Sequence, residues 1–329
     1  EMIASVLSQK YQVLKTPGNF NNEIGVPLTI FMIDECHEAA VLEMGMNHFG
    51  EMHRLSRMVR PTHCVFTNIG VAHLEYLGSR QGILKAKTEM LDYAAENAGI
   101  FINGDDDMLA ALKDRAVTFG RESSNQVWAD QVENLGLDGV RCRIHAGEQT
   151  MTVTIPLPGT HMVYNACAGV SVGRSLGLTA EQIQKGIETL KPLSGRSNIL
   201  HTRRYTLVDD CYNSNPVSVC AMLDVLEYAL TRKVAILGDM GELGGRSKEL
   251  HGSVGKHIQK LHTDVVITIG TLSRAIHETA QNSQAICLHY DTVDAFLDAK
   301  DQILQDGDSI LIKASHYMNF GQIVTALSD

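Results

Sequence analysis

Two alternating periods constrain this chain more than any other feature. Short, almost unbroken apolar runs are separated by longer segments in which apolar residues recur every three or four positions. In the first part the runs span 11–14, 39–44, 63–69 and 99–103, and the helical segments 24–31, 52–59, 82–95 and 108–115. Strands joined through helices pair in parallel with right-handed crossovers. Burial on both faces explains why such strands are apolar throughout. The spacing therefore predicts an α/β fold built on a parallel sheet.

Between 127 and 157 the texture changes to alternating apolar and polar residues, broken by turn signals at 137–139 and 146–148. This predicts an antiparallel meander attached to the parallel sheet. Helices are expected over 163–176 and 181–190, the second opened by Thr179 as N-cap. After 192–195 the alternation restarts. Strands are expected at 206–209, 234–237, 265–269, 285–289 and 309–312, with helices at 217–229, 250–260, 273–279, 293–303 and 320–327. Five strand–helix units make a doubly wound, Rossmann-like domain. With 329 residues the chain exceeds what one core usually holds, and the expected domains are 1–193 and 194–329.

Composition removes several function classes. A net charge of −10 argues against a nucleic-acid partner, and no run of 18 apolar residues offers a membrane span. The seven cysteines, at 36, 64, 142, 167, 211, 220 and 287, are odd in number and contain no CxxC pair. They are expected to be small hydrophobes in a reducing compartment, not a disulfide framework or a structural zinc site. The first ten residues carry no signal-peptide pattern, so a cytoplasmic protein is expected. They read instead as the interior of a helix, with Met2, Ile3, Val6 and Leu7 on one face and no cap. Loss of sequence upstream is the expectation.

In open parallel sheets ligands bind beyond the carboxyl ends of the strands. Glu43 and His73 follow runs predicted to be neighbouring strands, and Lys87 lies on the next helix. Each alone is an ordinary loop or surface residue. Together, a carboxylate and an imidazole could hold Mg²⁺, and the lysine could join them only as a carbamate, which its titratable amine permits. The segment 16–25 holds three asparagines and two glycines, Asn19, Asn21 and Asn22 among them and followed by Glu23. That is richer than a turn requires. Asn165 stands near the start of a helix whose amides could face an anion or a base edge, with plain capping an equal alternative. Arg196 at the domain boundary suits either a phosphate or a structural ion pair. The densest polar run, 209–216, offers Asp210, Tyr212 and Asn213 after a strand, where an acid can accept from ribose hydroxyls. Lys313 and Ser315 also follow a strand and serve equally well as turn residues or substrate contacts.

The motifs TPGNFNNEIGVP, VLEMGMNHFGE, TNIGVAHLEYLGS with ILKAKTEM, DDCYNSNP, LGDMGELG and ILIKAS occur in order between 11 and 320. In combination they resemble the Mur ligases of peptidoglycan synthesis. NNEIG and D-x-Y-N-x-N-P resemble the branch that adds D-Ala-D-Ala to UDP-MurNAc-tripeptide. The resemblance implies a monomeric ATP-dependent amide ligase in which ATP converts a carboxylate to an acyl phosphate and an amine displaces phosphate. It implies a parallel-sheet central domain with an antiparallel meander, then a Rossmann-like C-terminal domain. By motif, Glu43 and His73 would bind Mg²⁺ and Lys87 would be a carbamylated lysine completing the metal site. Asn165 would contact adenine, Arg196 the phosphates, and Asp210 the ribose beside Tyr212 and Asn213. Asn19, Asn21, Asn22 and Glu23 would line the muramoyl-peptide side, Lys313 and Ser315 the dipeptide side.

The family's phosphate loop precedes the helix that opens this chain, and no G-x-x-x-x-G-K-[ST] occurs in the 329 residues. Alone, the chain is therefore expected to bind ATP weakly and not to ligate. Met162 and Ser197 also depart from the family pattern, which has asparagine and an apolar residue there. Two alternatives remain: another Mur-like amide ligase of the folylpolyglutamate or cyanophycin synthetase type, or a non-catalytic nucleotide-binding module. The asparagine-rich loop and the 209–216 run speak against the first, and the Glu43, His73 and Lys87 set against the second.

Overall fold

A computed structural model describes residues 1–70 and 74–328. The chain divides into two compact units. The first holds Glu1–Asn134, Val140–Pro156 and Thr160–Leu190; the second holds Leu135–Gly139, Leu157–Gly159 and Lys191–Asp329.

The first unit runs α1 (Met2–Leu7), β1 (Val13–Lys15), α2 (Gly25–Ile30), β2 (Ala39–Val41), α3 (Glu51–Val59), β3 (His63–Phe66), α4 (Leu74–Leu77), α5 (Arg80–Thr88), β4 (Gly99–Asn103), β5 (Val117–Gly120), β6 (Val127–Asn134), β7 (Val140–Ala146), β8 (Gln149–Ile155), α6 (Met162–Ser175) and α7 (Ala180–Glu188). A six-stranded sheet of order β3-β4-β5-β6-β7-β8 is parallel through β6. The expected meander completes it, antiparallel from β6 to β8. On one face a cluster of Met52, Cys64, Phe66, Ile83, Ala86 and Ile102 packs α3 and α5 against the strands. α6 lies against β4 to β7 with its stretch from Ala166 to Gly173 fully buried. α7 opens with a capping box, Thr179 Oγ1 accepting from the Gln182 amide at 3.2 Å, as the sequence predicted for Thr179.

The second unit runs β9 (Asn198–His201), β10 (Thr206–Asp209), α8 (Pro216–Leu226), β11 (Lys233–Gly238), α9 (Ser247–Ile258), β12 (Val265–Ile269), α10 (Arg274–Ala280), β13 (Ile286–Tyr290), α11 (Val293–Ile303), β14 (Ser309–Lys313) and α12 (Gly321–Ser328). Its sheet order is β13-β12-β11-β14-β10-β9, parallel except for β9. Alternate residues of each strand enter different cores. Val208, Ala235, Leu237, Val266 and Leu311 meet α8, α9 and α10, whereas Leu207, Val234, Ile236, Ile267, Ile310 and Ile312 meet α11 and α12. The unit is therefore doubly wound. β14 lies between β10 and β11, and its exit leads to the face opposite theirs, the arrangement that leaves a crevice at the carboxyl ends of an open sheet.

Four local expectations change. β5 and β9 were not anticipated: VTFG is interrupted by Thr118, and NILH is a half-buried antiparallel edge strand. Residues 109–115 form 3₁₀ turns, because Asp106 Oδ1 accepts from the amides of Met108 and Leu109 at 2.9 and 3.1 Å and tightens the chain there. The helix expected over 82–95 ends at Thr88 and continues as a 3₁₀ turn. Finally, β2 stops at Val41, since the next amides turn to the loop after β1. β1 and β2 form a separate two-stranded parallel sheet, and among the described residues β3 pairs only with β4. Glu43 thus does not follow a strand hydrogen-bonded to the one preceding His73, as expected from the run lengths.

Candidate functional site

In the first unit the loops after β1 and β2 are laced together. The Glu43 amide donates to the buried Thr16 Oγ1 at 2.8 Å, and Asn21 Nδ2 donates to Glu43 Oε1 at 3.0 Å. The Gly45 amide donates to the Asn21 carbonyl at 2.7 Å. Glu43 itself is exposed. Its carboxylate is oriented by the Asn21 amide and stays open to solvent. Lys87, on α5, is half-buried and donates to the Asn68 carbonyl at 3.4 Å. Burial lowers its pKa below the ordinary lysine value, opposed by the charges of Asp106 and Glu43. His73 lies outside the described residues.

Other residues of the asparagine-rich loop have local work. Asn22 Oδ1 accepts from the Ile24 and Gly25 amides at 3.1 and 2.8 Å and so starts α2. Glu23 pairs with Arg54, one contact at 3.2 Å. Asn19 is exposed, its carbonyl accepting from the Asn21 amide at 2.7 Å. Asn165 is half-buried on α6, its Nδ2 3.4 Å from Met162 Sδ.

In the second unit the residues cluster at the carboxyl ends of β10 and β14. Lys313, 2% exposed, donates to Asp210 Oδ2 and to the Asn213 carbonyl, the latter at 2.9 Å. Asp210 Oδ1 accepts from the Ser197 amide at 2.8 Å. Asp209 Oδ2 accepts from the Gly195 amide at 2.7 Å. Gly195 has φ +75°, and a Cβ there would lie 3.1 Å from that of Tyr212, so glycine is required twice over. The Arg196 guanidinium sits 4.2 Å from the centroid of the Tyr212 ring, which in turn meets His316 at 5.3 Å. Ser315 Oγ accepts from the Gly241 amide at 2.8 Å. Among the described residues, Ser214 Oγ is buried without a hydrogen-bond partner.

Sequence reasoning missed Asn68 and Asp106 beside Lys87, and Ser197 beside Asp210. Asp106 stood in a conspicuous Asp105-Asp106-Asp107 run; the other two act through a backbone group or a turn and leave no residue-type signal.

The Mur ligase middle domain model matches residues 1–173, and the Mur ligase glutamate ligase domain model matches residues 195–316. The chain belongs to the Mur ligase family. It is 36% identical over 335 aligned positions to the UDP-N-acetylmuramoyl-tripeptide–D-alanyl-D-alanine ligase of Bacillus subtilis, covering all of this chain and 73% of that protein. Among solved structures it is similar to MurF from Acinetobacter baumannii, with a TM-score of 0.90 and 30% identity over 99% of this chain and 73% of that one. It is also similar to the MurF ligase of Thermotoga maritima in complex with ADP, with a TM-score of 0.88 and 28% identity over the whole chain and 76% of that one.

Proposed function

We propose that this chain forms part of an ATP-dependent ligase of peptidoglycan synthesis, one that joins D-alanyl-D-alanine to UDP-N-acetylmuramoyl-tripeptide. The observation that carries the reading is the 36% identity to the Bacillus subtilis ligase across the full length of the chain. The family motifs stand at the carboxyl ends of the strands in both units. In this reading 1–193 is the ATP-binding part and 194–329 the C-terminal ligase part of a cytoplasmic monomer. No described helix is long and apolar enough to cross a membrane.

The substrate carboxylate attacks the γ-phosphorus of ATP, ADP leaves, and the resulting acyl phosphate is attacked by the dipeptide amine. The amide bond forms as the carbon–oxygen bond to phosphate breaks, and the amine proton passes to solvent. Such chemistry depends on positioning and on stabilising charge at the transferring group.

The donors present suit Mg²⁺. Glu43 offers a hard carboxylate oxygen outside its hydrogen bond to Asn21. Lys87, with its amine held closer to neutrality by burial, can add CO₂ to give a carbamate and a released proton. Glu43, His73 and carbamylated Lys87 would hold the ion, which when bound neutralises charge on the phosphoryl group. Asn21 fixes the Glu43 carboxylate, and the Asn68 carbonyl accepts from Lys87. Asn165 would contact adenine, Arg196 the phosphates, and Asp210 the ribose. Asp210 Oδ1 accepts from both the amide and the hydroxyl of Ser197, whereas Oδ2 accepts from Lys313 and keeps a lone pair for a hydroxyl. Tyr212, stacked under Arg196, and Asn213 hold that loop. Asn19, Asn21, Asn22 and Glu23 would face the muramoyl peptide, and Lys313 and Ser315 the dipeptide side.

The test uses the full protein that carries this chain, with ATP, Mg²⁺ and UDP-MurNAc-tripeptide. Adding D-Ala-D-Ala should start ADP release and yield a product heavier by the dipeptide. Release indifferent to the dipeptide, or equally supported by glutamate, would overturn the assignment.

A further inference from the structure

We propose that the turn entering β2 binds one thiophilic divalent cation of the zinc class through Asp34, Cys36 and His37. These three residues fall within the four positions 34–37 between α2 and β2. One donor atom from each lies within 4.8 Å of the others. His37 Nδ1 is 2.9 Å from Asp34 Oδ1 and 3.9 Å from Cys36 Sγ. Bonds of about 2.3 Å to sulfur and 2.0 Å to nitrogen or oxygen place tetrahedral neighbours about 3.3–3.5 Å apart. Small side-chain rotations therefore bring all three donors onto corners of one tetrahedron.

The backbone already holds the turn in shape. The His37 amide donates to the Asp34 carbonyl at 3.2 Å, and the Cys36 amide to Asp34 Oδ1 at 3.0 Å. The Asp34 amide donates to His37 Nδ1 at 3.2 Å, which turns that nitrogen into the turn; a metal bound at Nδ1 takes the same lone pair and replaces this hydrogen bond. The His37 side chain is 20% exposed, which limits its rotation, while Asp34 is open and leaves room for water as fourth ligand. Residues 34–38 carry Asp34, Glu35 and Glu38 and no basic residue, so the local field favours a cation. A thiolate and an imidazole select a zinc-class ion over Mg²⁺ or Ca²⁺.

The site is separate from the proposed catalytic one: it precedes β2, whereas Glu43 follows it, and it does not rest on the ligase reading. The lack of CxxC pairs excludes a zinc ribbon but not a site with a single thiolate. Cys36 is exposed, while the other six cysteines are buried or half-buried. On binding, the Cys36 S–H bond breaks, its proton leaves to solvent and a sulfur–metal bond forms, with no change of oxidation state.

The experiment is anaerobic titration of the full protein with Co²⁺, followed by displacement with Zn²⁺, read by thiolate-to-cobalt charge-transfer absorption. That band ignores cobalt bound by oxygen donors elsewhere. One equivalent should saturate the band, Zn²⁺ should remove it, and Cys36→Ser should abolish it. Asp34→Asn and His37→Gln should each weaken binding at least about tenfold. Because the turn is exposed, these variants should keep the wild-type circular dichroism spectrum. Absence of the band, its survival in Cys36→Ser, or unchanged affinity in both other variants would overturn the proposal.

Discussion

Lys87 carries the sharpest consequence of a single side chain. Burial lowers its pKa against the charges of Asp106 and Glu43, the balance on which the proposed carbamylation depends. Lys87→Ala should lower kcat/KM by about 10²-fold or more, the scale of losing a group that neutralises transition-state charge. Short carboxylic acids should restore part of it by supplying the missing oxyanion; an active, unrescued variant would rule out the carbamate. Lys313 makes a different prediction. Lys313→Met leaves Asp210 buried beside the Asn213 carbonyl without its cation, and should cost about 3–5 kcal/mol of stability in urea unfolding. The double change with Asp210→Asn should recover much of that loss. Glu43 and Asp210 could be found in the sequence because a carboxylate directly after an apolar run is conspicuous. The Lys313–Asp210 pair could not: 103 positions separate the partners, and only the insertion of β14 beside β10 joins them.

At the scale of elements, α8 shows how one run serves two ends. Asn215 Oδ1 accepts from the Ser218 amide at 2.9 Å and Ser218 Oγ from the Asn215 amide at 3.1 Å, a capping box with Pro216 in the first turn. Part of the polar density at 209–216 is therefore helix initiation, and Asn215→Ala should cost about 1 kcal/mol by chemical denaturation. α9 is tied to the loop after β11 through His251, which is fully buried. Its Nδ1–H donates to the Ser247 carbonyl at 2.8 Å and its Nε2 accepts from the Met240 amide at 2.9 Å. Burial lowers its pKa, opposed by the Ser247 hydrogen bond and the charge of Asp239. The unfolded chain thus binds a proton more readily than the native one. The neutral imidazole contributes stability above about pH 6.5 that is lost as pH falls toward the native pKa. Urea midpoints should drop between about pH 7.5 and pH 5.5, and drop less in His251→Gln; equal slopes would contradict the assignment. Most strands and helices were legible because two-sided burial writes itself as apolar runs. β5 and β9 were not, since a strand interrupted by threonine or lying at an edge has no such run, and the 3₁₀ turns at 109–115 come from Asp106, a side-chain effect outside the apolar period.

At the scale of the whole molecule, each unit places its motifs where strands end. The doubly wound order β13-β12-β11-β14-β10-β9 brings Asp210, Lys313 and Ser315 to one end of one sheet. The loops after β1 and β2 bring Asn21 to Glu43 in the other unit. The apolar runs misplaced β2 as a neighbour of β3, because strand order is set by crossovers that residue periodicity does not encode. The central claim, that a carboxylate is activated as an acyl phosphate, has a direct isotopic test. UDP-MurNAc-tripeptide labelled with ¹⁸O in its terminal carboxylate is turned over with ATP and D-Ala-D-Ala by the full protein, and the phosphate is analysed by mass spectrometry. Transfer of one carboxylate oxygen to each phosphate released is the predicted result. Unlabelled phosphate accompanying full amide formation would contradict the account.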